Sequence, residues 1–126
     1  MLRKIDCVMV PVNDLEQAAD FYASVFGLRR LWQDESAVGM AMPETDAEIV
    51  LHTMKLPPDQ TVYYLVDDVA AAVATYRRHG AIVRTPPFRH SGPGRCAVLQ
   101  DPFGNAVCVL DLSKGLRPPV TASSDH

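Results

Sequence analysis

A chain that states the same plan twice is confined to folds built from two like halves. Here Val66-Asp67-Asp68-Val69 stands 54 positions after Val12-Asn13-Asp14-Leu15, and Ala72 and Tyr76 follow Ala18 and Tyr22 by the same interval. Each copy lies where an apolar, β-forming run gives way to a helical period, so the repeated unit begins strand, cap, helix.

The rest of each half follows the same order. Residues 5–12 alternate and are rich in β-formers, which predicts a strand. Asn13 or Asp14 supplies an N-cap, and Leu15, Ala18, Ala19, Tyr22 and Phe26 share one face of a helix that Gly27 ends. Strands are expected at Arg29 to Asp34, Ala37 to Met42 and Glu48 to Met54. The breaker-rich Lys55-Leu56-Pro57-Pro58-Asp59 cannot lie inside a sheet and divides the chain. The second half then reads strand Thr61 to Val66, helix Val69 to His79 with Gly80 after it, and strands near Ala81 to Arg84, Arg95 to Gln100 and Ala106 to Leu112. Each half is thus a βαβββ module that would leave an apolar face open if it stood alone. The expected architecture is α+β: one domain over residues 1–115, with module one at about 4–56 and module two at about 60–113. Curved mixed sheets would enclose a shared cavity, and residues 116–126, with two prolines, form a C-terminal tail.

Composition narrows the partners. With 126 residues the chain is long enough to bury its own core. A formal net charge of -3, with no Lys/Arg stripe on either helix, gives no broad basic surface for nucleic acid. The basic start is followed only by a short apolar run broken by Pro11, so neither a secretory signal nor a membrane span is expected. Three cysteines without a CxxC pair suit a reducing, cytoplasmic setting better than a disulfide framework.

Several features together carry a family resemblance: a strand ending in Val-x-Asp before each helix, Phe21-Tyr22 followed by Gly27-Leu28, and Asp101-Pro102-Phe103-Gly104-Asn105 before the last strand. The set resembles the vicinal oxygen chelate superfamily, which includes glyoxalases, extradiol dioxygenases, epimerases, fosfomycin-modifying enzymes and bleomycin-resistance binding proteins. In its metal-dependent members, ligands come from the first and last strands of each module. The resemblance places Cys7, Val50, Thr61 and Cys108 at those four positions, and none is a His or a carboxylate. A zinc site from Cys7, Cys108 and His52 is the metal-bound alternative. The simpler reading makes the two thiols neutral lining, because small buried thiols behave as hydrophobes.

The resemblance therefore implies a glyoxalase/bleomycin-resistance-like protein that binds or sequesters a hydrophobic or aromatic small molecule without metal or other cofactor. Its expected ligand contacts are Cys7, Met9, Trp32, Val50, His52, Thr61, Tyr63, Cys108 and Leu110. Trp32 offers either an aromatic platform or a packing group between sheet and helix. Pro11 resembles a proline of the resistance proteins and points to a homodimer. The alternative is an enzyme of the same fold, a lyase, isomerase or dioxygenase-like protein, with an atypical or absent metal site. In it, Glu48 and His52 would act as acid and base, since both flank Val50 on one strand face. The loop from Arg89 to Arg95 offers two arginines to an anionic ligand or is solvated loop chemistry.

Overall fold

The computed structural model describes residues 1–89 and 94–111. Ten elements follow one another: β1 Lys4–Pro11, α1 Leu15–Ser24, β2 Arg29–Gln33, β3 Ala37–Ala41, β4 Glu48–His52, β5 Val62–Leu65, α2 Val69–Arg78, β6 Ile82–Phe88, β7 Cys96–Gln100 and β8 Ala106–Leu110. The order is βαβββ stated twice, with every predicted element present. The tail at 116–126 and residues 90–93 of the arginine loop lie outside the described residues.

The caps explain why both helices start where they do. Asp14 accepts the Gln17 N–H at 3.0 Å, and Asp68 accepts the Ala71 N–H at 2.9 Å, each satisfying a donor that the first helical turn leaves open. Gly27 and Gly80, just past the helix ends, take φ of 75° and 99°, where a side chain would be strained.

The chain divides into two compact units. One runs over Cys7–Leu56; the other begins at Pro57 and includes Met1–Asp6. In the first, the strand order is β2-β3-β4-β1, with β4 and β1 parallel and the other pairs antiparallel. Helix α1 covers one sheet face, where Ala19 packs with Val38, Met40 and Leu51, flanked by Val10, Leu15 and Tyr22. Fully burying side chains of the size of Met40 or Leu51 contributes on the order of 1.5–3 kcal/mol each.

The second unit has the same pairing in the order β5-β8-β7-β6. Helix α2 packs Val69, Ala72 and Val73 against Ala97, Leu99 and Val109. The N-terminal segment is fastened to this unit, since Arg3 donates its N–H to the Leu65 carbonyl and pairs with Asp67, at 2.8 and 3.0 Å. Strand β6 runs on to Phe88, past the Arg84 end expected from sequence, and so contains Pro86 and Pro87. It stands last in the strand order, and its register with β7 shifts twice between Val83 and Phe88. Prolines missing an N–H are tolerated in such a strand and not in a central one. Among the described residues, no helix is long and apolar enough to cross a membrane.

Candidate functional site

Strand alternation assigns a second face to the first unit. Because Val38, Met40, Ile49 and Leu51 face α1, their alternates Ala37, Gly39, Ala41, Glu48, Val50 and His52 face away from it. Register adds Cys7 beside Glu48, Met9 beside Val50 and Pro11 beside His52. The sequence placed Val50 at the depth of Cys7, but the parallel pairing puts Glu48 there.

Trp32 joins this face through a bulge. Simple alternation would put Arg30 and Trp32 on the same side of β2. The register shifts between them, so Arg30 pairs with Met40 and Trp32 with Gly39. Arg30 then turns to α1 and bonds Glu16 and Asp20 at 2.9 and 2.8 Å. Trp32 lies over Gly39, where any Cβ would run into the indole ring. Its Nε1–H donates to Glu48 Oε1 at 2.7 Å. The alternative of a Trp packed between sheet and helix is therefore not the one adopted.

Two polar side chains are embedded here among apolar ones. Glu48 is 4% exposed and His52 3%, with Val50 between them at 3%. Burial pushes the His52 imidazole below its usual range, and a hydrogen bond to the Met54 backbone only partly opposes this. The ring is thus held neutral at pH 7. Its Nδ1 has no hydrogen-bond partner, an omission that costs on the order of 1–3 kcal/mol at a buried site.

The corresponding face of the second unit carries the other four expected contacts. Tyr63 pairs with Cys108, Leu110 lies across from Leu65 and Cys96, and Thr61 immediately precedes β5. Tyr64, its alternate, pairs with Val109 on the α2 side. Burial is the main influence on the Cys108 thiol and pushes it up to about 11, with a hydrogen bond from Tyr63 acting in the opposite direction. Cys108 is a protonated thiol at neutral pH, not a free nucleophilic thiolate. Like Cys108, Cys7 and Cys96 form no disulfide.

The same groups can be weighed as metal ligands. Of the four positions where the resemblance expects ligands, Val50 and Thr61 offer no imidazole, carboxylate or thiol, and Glu48, which the register sets beside Cys7, already accepts from Trp32; such a donor set does not close around a divalent ion. Among the described residues, no three His, Cys, Asp or Glu side chains are grouped to hold one.

Two contributors were not singled out from sequence. Gly39, a lone glycine in a strand, carried a readable signal, since such residues often mark close approach of another group. Asp111 carried none: at the end of β8 its carboxylate accepts the Val69 N–H of α2 and the Arg95 N–H, both at 2.9 Å. Arg95 is thereby placed by its backbone at the head of β7. Away from both sheet faces, a pocket of about 660 Å³ is lined by Met1, Arg3, Val66, Asp67, Asp68 and Thr75. Its charged groups are already engaged, Arg3 with Asp67 and Asp68 with the α2 cap.

The profile of the Glyoxalase/Bleomycin resistance protein/Dioxygenase superfamily matches residues 4–109. The chain belongs to that superfamily. Among solved structures, a methylmalonyl-CoA epimerase in complex with methylmalonyl-CoA and NH4+ is 19% identical, with a TM-score of 0.70 over 94% of this chain and 100% of that one. A Streptomyces coelicolor methylmalonyl-CoA epimerase variant bound to 2-nitronate-propionyl-CoA is also 19% identical, at TM-score 0.69 over 90% and 99%. The Mycobacterium tuberculosis methylmalonyl-CoA epimerase is 18% identical, at 0.68 over 90% and 91%. No curated protein matches the sequence. At these identities the superfamily members share the fold, and their substrates are their own.

Proposed function

We propose that this superfamily member is a metal-independent small-molecule-binding protein that holds a hydrophobic or aromatic compound on the face formed by Cys7, Met9, Trp32, Glu48, Val50 and His52. The observation that carries the reading is Val50 buried between Glu48 and His52: an apolar wall with two fixed polar groups. Small-molecule sites have that composition, and a site built around a divalent ion does not. Thr61, Tyr63, Cys108 and Leu110 give the second unit a wall of the same kind. The role is sequestration, as in resistance to a toxic compound or antibiotic, by a cytoplasmic homodimer.

Val50→Arg tests it. Loss of ligand binding with unchanged thermal stability and unchanged sedimentation supports the reading, whereas loss of folding as well marks Val50 as ordinary core. Metal analysis of untagged protein purified without chelator comes first, because one equivalent of a transition metal per chain overturns it.

A second reading has its own support. Glu48 and His52 stand four residues apart on one strand face, about 13 Å between their backbones, so that a substrate lying over Val50 would have one of them on either side. An epimerase or other isomerase uses such a pair, and the epimerases of similar fold give that class its precedent. Solvent deuterium entering the carbon next to an acyl-CoA carbonyl, lost in His52→Gln, would replace sequestration with catalysis.

A further inference from the structure

We infer that the compound held on this face must present an O–H or N–H donor to Nδ1 of His52, and that acceptor-only ligands are rejected there. The inference deepens the binding reading above and rests on it.

It begins with which ring nitrogen holds the proton. His52 bonds the backbone of Met54 through its ring, while Nδ1 meets no protein donor or acceptor. A backbone bond that favours the charged ring is one in which a ring N–H donates to a carbonyl, and since Nδ1 has no partner that N–H is assigned to Nε2, leaving Nδ1 its lone pair. Burial keeps a second proton off the ring. Nδ1 can therefore accept a hydrogen bond and cannot give one.

The next polar group on the face has the same polarity. Glu48, four residues back along β4, presents a carboxyl group already accepting from Trp32 Nε1–H at 2.7 Å. Cys7, Met9 and Val50, which lie between and beside the two, add no strong donor. Arg29 pairs with Ala41 on the same side, but it is exposed, at the start of β2. A carbonyl, ether, carboxylate or phosphate placed at His52 would set lone pair against lone pair. A hydroxyl or ring N–H would satisfy the orphaned atom. Buried polar groups discriminate most sharply in this way, because the wrong ligand leaves them unpaired.

Trp32 restricts the rest of the ligand. Its ring is fixed on one side by Gly39 and along one edge by Glu48, so it is an ordered aromatic surface. A planar compound with one donor matches both features.

Indole and 1-methylindole form the test pair, since they share a ring and differ in the N–H. Binding is followed by protein NMR titration, together with the nitrogen shifts of the His52 ring. The expected result is that indole binds about tenfold more tightly than 1-methylindole, the equivalent of one hydrogen bond. Indole should also move the Nδ1 resonance toward the protonated range, and the preference should vanish in His52→Phe, whose fold is checked by its amide spectrum. Equal binding of the two probes on this face would overturn the donor requirement and leave the binding reading standing. If neither probe perturbs Cys7, Val50 or His52, both fall. A resting Nδ1 resonance already in the protonated range would contradict the assigned tautomer directly.

Discussion

The indole N–H of Trp32 donates to the carboxylate of Glu48 at 2.7 Å, across a span of sixteen residues, because Gly39 leaves room for the ring between them. Gly39→Ala should displace the indole and break that bond. A loss of roughly 1–3 kcal/mol in stability is expected for forcing a methyl into so close a contact. Trp32 is the only tryptophan, so its emission reports the change directly. An alanine variant with native emission and an unchanged denaturation midpoint would show that the ring does not rest there.

Cys108 makes the protein sensitive to alkali. The folded thiol titrates near 11 against an ordinary value of 9.0, so between those limits the folded state holds a proton that the unfolded chain has lost. Stability is therefore complete below about pH 9 and declines as pH rises toward 11, by roughly 2–3 kcal/mol in all. Urea denaturation across that range should show the decline, and Cys108→Ala should flatten it relative to the parent. Parallel slopes in the two proteins would assign the alkaline loss elsewhere, for example to Tyr76, which burial also pushes up.

The acid limb belongs to His52. Its folded value is depressed by burial, so the unfolded chain binds a proton first as pH falls below the ordinary 6.5. Stability from this group is present above that value and is lost on acidification, down to the lowered one. His52→Gln removes the titration, and the variant should lose less stability than the parent between neutral and mildly acid pH. A steeper acid loss in the variant would contradict a neutral, buried ring.

Asp111 ties α2 and the head of β7 to the end of β8. Asp111→Ala leaves the Val69 and Arg95 amides without their acceptor, and a cost of about 2–3 kcal/mol follows from losing hydrogen bonds to a charged group. Hydrogen exchange should show those two amides losing protection ahead of the Leu99 and Val109 core. Uniform loss across the unit would point to global destabilisation, with no local fastening.

Much of this was legible in the sequence because it depends on neighbours along the chain. The helix starts were set by Asp14 and Asp68, whose side chains reach N–H groups three residues on. The strand bounds at Arg29, Ala37, Glu48 and Ala106 follow from alternation and turn residues. The extension of β6 through Pro86 and Pro87 is not announced locally, since proline excludes a residue from a ladder only on the side where its N–H is needed. The face of Trp32 was hidden for a related reason: a bulge is a property of two paired strands, and nothing in Arg30-Leu31-Trp32 announces it.

By itself the sequence determined the doubled βαβββ order and the caps that start each helix, both matters of residue type and local spacing. The tertiary structure decided that Glu48 stands beside Cys7, that Trp32 crosses Gly39 to reach it, and that His52 is buried with Nδ1 lacking a hydrogen-bond partner. Register, bulges and desolvation depend on which strands lie side by side, and contacts between residues far apart in the chain set that.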